Sequence, residues 1–207
     1  MIKYPNGSIY DPETKQTKKS SSIKKTKKDE LEISISAANR GMNLENDINL
    51  SCEYYREKEI ALIYKRPTPI NVVKVDYTHG AKITNAYFET QSTTDYNGVY
   101  KGRYIDFEAK NTKNRTSFPL ANIPIQQINH LKLVIKQKGI AFFVIQFQVQ
   151  DEVYLLDAKY VIDFYENGDR KSIPYQTIKE KGILLERGFS PRIHLIEGIE
   201  KAYFEKK

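Results

Sequence analysis

A chain of 207 residues that is 40% hydrophobic and 29% charged can bury one proper core, and no apolar run in it approaches the roughly 18 to 20 residues of a membrane-spanning helix. Its single cysteine, Cys52, excludes an internal disulfide and fits a reducing cytoplasm, and the opening MIKYPNGSIYDPETK lacks the apolar stretch of about 7 to 15 residues that marks a secretory leader. Thirty-three Lys and Arg against 26 Asp and Glu leave a net charge of +7, which favours a polyanionic partner.

Residues 1 to 38 hold eight Lys and five acids, so +3 of that charge lies there, and 25 basic against 21 acidic residues remain beyond. The run TKQTKKSSSIKKTKK, Thr14 to Lys28, has seven Lys, no acid and one large apolar residue, too little to offset its ordering entropy. Residues 1–36 are therefore expected to be a disordered basic tail, either a solubilising arm or one that grips nucleic-acid backbone. Residues 37–207 are expected to fold. Leu44, Ile48, Cys52 and Tyr55 recur at helical spacing and predict a first helix with Cys52 on its apolar stripe. Ile60–Tyr64 and Ile70–Val75 read as strands on either side of Lys65-Arg66-Pro67-Thr68-Pro69, whose prolines break any ladder. Strands at Ala81–Phe88, Thr93–Tyr100 and Arg103–Lys110 follow, then a helix over Pro124–Gln137, an apolar strand over Ile140–Phe147, a strand over Glu152–Leu156 and a closing helix over Ile193–Phe204. A strand-rich middle flanked by helices gives an α/β class with a mixed central sheet.

The chemistry concentrates between Thr93 and Lys110. On the last strand of that stretch side chains alternate, so Ile105, Phe107 and Ala109 share an apolar face while Asp106, Glu108 and Lys110 share the other. With Lys101-Gly102 as a two-residue hairpin loop, Tyr100 opposes Arg103 and paired positions sum to 203, which sets Asp95 against Glu108 and Thr93 against Lys110. Opposed residues point to the same side with Cβ atoms about 4.5 to 5.5 Å apart. Two carboxylates that close repel unless a cation lies between them, and hard oxygen donors suit Mg²⁺. A turn at Asn97-Gly98 competes; it would pair Asp95 with Tyr100 and dissolve the arrangement.

These residues fit the pattern of the PD-(D/E)XK nuclease superfamily: an acid, a spacer, then acid-x-lysine. Around them, Asn39-Arg40-Gly41-Met42, Lys65-Arg66-Pro67-Thr68-Pro69, Ser92-Thr93-Thr94-Asp95-Tyr96-Asn97-Gly98, Tyr100 through Lys110 and Thr116-Ser117-Phe118-Pro119-Leu120 resemble the RecU Holliday junction resolvases of low-GC Gram-positive bacteria. The resemblance runs from about Asn39 to the C-terminus, with the opening Tyr4-Pro5-Asn6-Gly7. It implies a restriction-endonuclease-like fold with a projecting stalk at about 67–88. It also implies magnesium ligands at Thr93, Asp95, Glu108 and Gln127, with Mn²⁺ a substitute, and Lys110 as the transition-state stabiliser. The family often carries a His where this chain has Gln126, so a supporting role for that His does not transfer. The segment between Gly7 and Asn39 looks unlike relatives apart from its basic character.

The implied activity is resolution of four-way DNA junctions by paired symmetric nicks, in DNA recombination and repair in the cytoplasm, by a homodimer that also meets a recombinase. Two alternatives stand beside it: a non-catalytic junction-binding or recombinase-modulating protein, and a nuclease of the same superfamily acting on linear duplex or RNA. Arg40, Lys65 and Arg66 are candidate phosphate contacts. Tyr77 and Phe88 could stack on unpaired bases or simply pack at a strand edge. Glu45 resembles a helix acid found near such sites or is ordinary surface. Asp106 is a rival ligand to Glu108; the ordinary alternative is pairing with Arg103 or Lys101. His130 is expected to be packed or backbone-bonded, and His79 and His194 lack zinc spacing. No phosphate-binding glycine loop is present, so neither ATP nor NAD is expected.

Overall fold

The computed structural model describes residues 44–89 and 93–205, so the expected tail, the onset of order at Ala37 and Arg40 lie outside the described residues. Residues 44–57 are helical (α1) and bury Leu44, Ile48, Cys52 and Tyr55 on one stripe, as their spacing requires. The helix ends where Glu59 takes φ +55°, with Ile60 N donating to Tyr55 O at 2.8 Å and Glu59 N to Arg56 O at 3.1 Å, a Schellman closure. Burial pushes the Cys52 thiol up to about 12, only partly opposed by Arg56, so it stays an inert core group.

The central sheet has six strands in the order β1-β4-β5-β7-β8-β10: Leu62–Lys65, Tyr96–Tyr100, Arg103–Thr112, Ile140–Phe147, Glu152–Asp157 and Ile183–Leu184. Only β5 and β7 run parallel, so the sheet is mixed, as expected. β7, IAFFVIQF, is buried on both faces, which is why it reads as an unbroken apolar run. One face packs under α1 and α5 (Leu195–Tyr203) through Ile105, Phe107, Ala109 and Phe142. The other packs under α2 (Ile125–Lys136), α3 (Ala158–Asn167) and α4 (Tyr175–Lys181) through Ala141, Phe143, Ile145 and Phe147. The result is helix, sheet and helix in three layers. β6 (Ser117–Pro119) and β9 (Ser172–Pro174) make a short two-stranded sheet under the second face.

Between β1 and β4 the chain makes a separate two-stranded antiparallel sheet, β2 (Ile70–Asp76) with β3 (Lys82–Phe88), bulged around Val73 and Lys74. All of β3 is exposed, including Phe88, and Tyr77 at the turn is exposed too. The Asp76 carboxylate closes that turn by accepting Thr78 N at 2.9 Å.

The expected strand boundaries shift, and two helices are added. The strand expected from Thr93 begins at Tyr96, and α3 and α4 were not anticipated. The rival turn at Asn97-Gly98 does not form: Gly98 is the centre of a strand triplet, paired with Ile63 on β1 and Ile105 on β5. A Cβ there would lie 2.1 Å from Leu62 O and 2.7 Å from Ile63 Cα, both backbone atoms that cannot swing aside. Gly98→Ala should therefore part β1 from β4 and cost about 3 kcal/mol in a urea titration, at the upper end of overpacking penalties.

Candidate active site

Lys101 and Gly102 hold φ +47° and +74°, the two positive values a tight type I′ hairpin needs. The pairs from Tyr100↔Arg103 to Tyr96↔Phe107 keep the 203 register without a slip. One residue beyond the last pair, Asp95 N donates to Glu108 Oε2 at 3.0 Å, so β4 hands over from the ladder directly to the carboxylate. Glu108 is fully buried on the α2 face of β5. Its other oxygen, Oε1, accepts from Gln127 Nε2 at 2.8 Å and meets Lys110 Nζ at 2.6 Å. Burial lifts the Glu108 carboxyl to about 7 against the pull of the Lys110 ammonium, and the nearby Asp95 charge adds to the rise.

Gln127 sits in the first turn of α2, its N–H bonded to Pro124 O at 3.0 Å, with the proline as the N-cap residue. The side chain is buried; its Nε2 holds Glu108, while Oε1 has no hydrogen-bond partner among the described residues. A buried carbonyl oxygen without a donor costs about 1 to 3 kcal/mol, and beside a carboxylate the group that satisfies both is a cation. Thr93, half-buried, lies two residues before Asp95, in the stretch that enters β4. Asp95, Glu108, Lys110 and Gln127 thus converge from the residue before β4, from β5 and from α2. No group of three or more His, Cys, Asp or Glu placed to hold a metal ion occurs among the described residues.

Asp106, also fully buried, belongs to a second cluster on the same face. Its carboxylate accepts from Arg66 Nη2 and Tyr104 OH, both at 2.7 Å, from His130 Nε2 at 2.9 Å and from the Thr94 hydroxyl. Burial pushes this carboxyl up, but the bonds from His130, Thr94, Tyr104 and Arg66 outweigh it and hold the group below its ordinary value. The expected partners are elsewhere: Arg103 bonds Lys138 O at 2.8 Å and Lys101 pairs with Glu200. Parity explains this, since Arg103 points to the opposite face of β5 from Asp106. His130 is accordingly bonded to a carboxylate rather than packed or backbone-bonded. Asp106→Ala strands Arg66 and should destabilise the chain by about 3 to 5 kcal/mol in chemical denaturation, the cost of breaking a buried pair from one side.

The family model for RecU, Recombination protein U, matches residues 39–201. The chain belongs to the RecU family. It is 48% identical over 209 residues to the Holliday junction resolvase RecU of Geobacillus sp. (strain WCH70), covering 99% of this chain and 98% of that one. It is 49% identical over 208 residues to the Holliday junction resolvase RecU of Bacillus mycoides (strain KBAB4), covering 98% of each. Among solved structures, Hjc of Archaeoglobus fulgidus, a Holliday junction resolvase, is similar at a TM-score of 0.41 and 11% identity over 70% of this chain and 95% of that one. The alignments with these relatives span nearly the whole chain, the segment before Asn39 included.

In this RecU chain the remaining candidates disperse. Arg66, a candidate phosphate contact, turns inward: its side chain is only 18% exposed, and its backbone N–H donates to Asp95 O at 2.7 Å. It ties the entry of the β2–β3 segment to both acidic clusters. Lys65 pairs with Glu45 of α1 at the surface. His194 lies against Glu197 at 2.9 Å. The partners of Asp106 and the burial of Gln127 are what residue patterns alone missed.

Proposed function

We propose that this chain is a magnesium-dependent endonuclease that resolves four-way DNA junctions by paired symmetric nicks. Membership of a family whose relatives are named as junction resolvases supports the substrate and the cleavage. The observation that carries the metal reading is the Gln127 Oε1, without a hydrogen-bond partner among the described residues, beside a buried Glu108 whose proton affinity burial raises. Thr93, Asp95, Glu108 and Gln127 present the hard oxygen donors that Mg²⁺ prefers, and Mn²⁺ would serve in its place. A bound divalent ion there would supply Lewis-acid stabilisation of the charge that phosphodiester cleavage builds on phosphate oxygens.

The chain's own groups do the rest. Glu108 must be ionised, and Lys110 at 2.6 Å favours that state. The same ammonium, 22% exposed, is positioned to hold a phosphate oxygen as its charge grows. Gln127 and Asp95 N–H fix the Glu108 carboxylate from both sides, so it needs no reorganisation during the reaction.

A junction with twofold symmetry needs two opposed cuts, and a homodimer with one site per protomer meets it with the same axis. The exposed β2–β3 sheet, with Tyr77 and Phe88, is the segment we assign to the junction centre as the stalk. Recognition is then of shape and backbone, and binding should weaken with salt at a log-log slope of about −0.9 per phosphate contacted. Recombination in the cytoplasm, beside a recombinase, is the setting this reading implies.

The test is cleavage of a mobile four-way junction, plain duplex and single strand with Mg²⁺ or EDTA. Symmetric nicks in the junction with Mg²⁺ alone are expected. Equal cutting of duplex would replace the substrate, and no cutting at all would remove the enzyme reading.

A further inference from the structure

The loop between β10 and α5 folds back on itself through an Arg187↔Ile193 bridge, with Gly188 N donating to Arg192 O at 3.1 Å and His194 N to Glu186 O at 3.0 Å. Its interior is full: a Cβ on Gly188 would lie 2.7 Å from Pro191 O and 2.8 Å from His194 Nε2. The base is fastened to α1, where Ile193 N donates to Ser51 Oγ at 2.8 Å and Tyr55 OH to Ile193 O at 3.1 Å. Arg192 Nε reaches Asp47 at 3.3 Å, and Arg187 spans Asp47 at 3.8 Å and Asp151 at 3.1 Å. At the tip of this fastened loop Phe189 is 92% exposed, more than Tyr77 or Phe88 of the β2–β3 segment. An aromatic ring with no polar atom gains by lying down on the surface, and here the loop holds it out in water.

The loop's place in the fold says what meets that ring. Asp151 lies in the turn after β7, and β7 runs parallel to β5 with Lys110 opposite Ile145 and Thr112 opposite Phe147. That turn therefore lies beyond the Lys110 end of β5. At the same end Lys65, bonded to Glu45 near the start of α1, pairs with Tyr96 next to Asp95. The Phe189 loop thus lies at the same end of the sheet as Asp95, Glu108 and Lys110, fastened on the α1 face while Glu108 and Lys110 project toward α2.

We propose that Phe189 is a DNA contact that stacks on a nucleobase of the junction beside the cleavage site. Arg187 and Arg192 set the loop's position, and Arg192, with its side chain 45% exposed, faces the same backbone. Stacking on aromatic side chains is tolerant of sequence, which suits a protein reading shape. This inference rests on the nuclease reading above.

The chain contains no Trp, so Phe189→Trp places a single indole reporter at the tip. Titrating that variant with four-way junction in EDTA should quench its emission as binding saturates. Phe189→Ala should weaken junction binding, read by fluorescence anisotropy, by roughly 5- to 100-fold, while Phe189→Trp stays near wild type. Indole emission unmoved by saturating junction overturns the proposal, as does Phe189→Ala binding like wild type. Emission that instead tracks protein concentration without DNA would assign the loop to a second copy of the chain and overturn it too. Failure of the wild-type protein to bind or cut junction is a different result and counts against the nuclease reading itself.

Discussion

Lys110→Ala should slow junction cleavage by roughly 10²- to 10³-fold, the size expected when one preorganised donor to a developing oxyanion is removed, while the junction dissociation constant moves by less than about threefold. The ammonium sits 2.6 Å from Glu108 Oε1 and is 22% exposed, so it lies between the buried carboxylate and solvent, where a phosphate would arrive. Its loss has a second consequence. The Lys110 charge is the main influence holding the Glu108 carboxyl down, and without it burial and Asp95 push the group further up. Whatever cleavage survives in the variant should therefore need a more alkaline pH than wild type. Single-turnover rates across pH, with anisotropy binding in parallel, check both parts. An alanine variant that cuts at the wild-type rate eliminates the role, and one that cuts slowly with an unshifted pH profile separates Lys110 from Glu108.

Much of this geometry could be read from residue order because it depends on local periodicities. The α1 stripe of Leu44, Ile48, Cys52 and Tyr55 is a 3.6-residue repeat, and β7 is eight apolar residues in a row. The Asp95–Glu108 approach follows from counting back from a two-residue turn whose Lys101-Gly102 conformation the structure bears out. What escaped depends on contacts between distant segments. Asp106 finds Arg66 forty residues away and His130 twenty-four away, and no spacing rule connects them. The expected pairing with Arg103 or Lys101 overlooked parity along β5, which turns Arg103 to the face opposite Asp106. α3 follows β8 without a Gly or Pro to mark the change, with only Asp157, which accepts Lys159 N at 2.9 Å, as its cap. α4 is seven residues with one buried side chain, Ile178, too short for a period to show. Gln127 came through resemblance alone, since an amide in a first helical turn says nothing of burial until the sheet is beneath it.

Glu108→Gln should abolish cleavage, by roughly 10³-fold or more, and at the same time stabilise the metal-free chain. A carboxyl whose pKa rises from 4.5 to about 7 on folding keeps its proton in the folded chain while the unfolded chain has already lost it. Between those values the folded state binds more protons, so its stability falls as pH climbs through the window and stays reduced above it. The glutamine variant carries no such penalty. Its amide can accept from Asp95 N and, with the Gln127 amide turned over, donate to the oxygen that now lacks a partner. Wild type and variant should be alike near pH 4, and at pH 8 the variant should lead by about 3 kcal/mol at most, measured by chemical denaturation in EDTA. Saturating Mg²⁺ or Mn²⁺ should then raise the wild type and leave the variant where it was, because only the ionised carboxylate rewards the ion. A gap that ignores pH, or a divalent ion that lifts both proteins equally, would mean that Glu108 is not the buried anion on which the site is built.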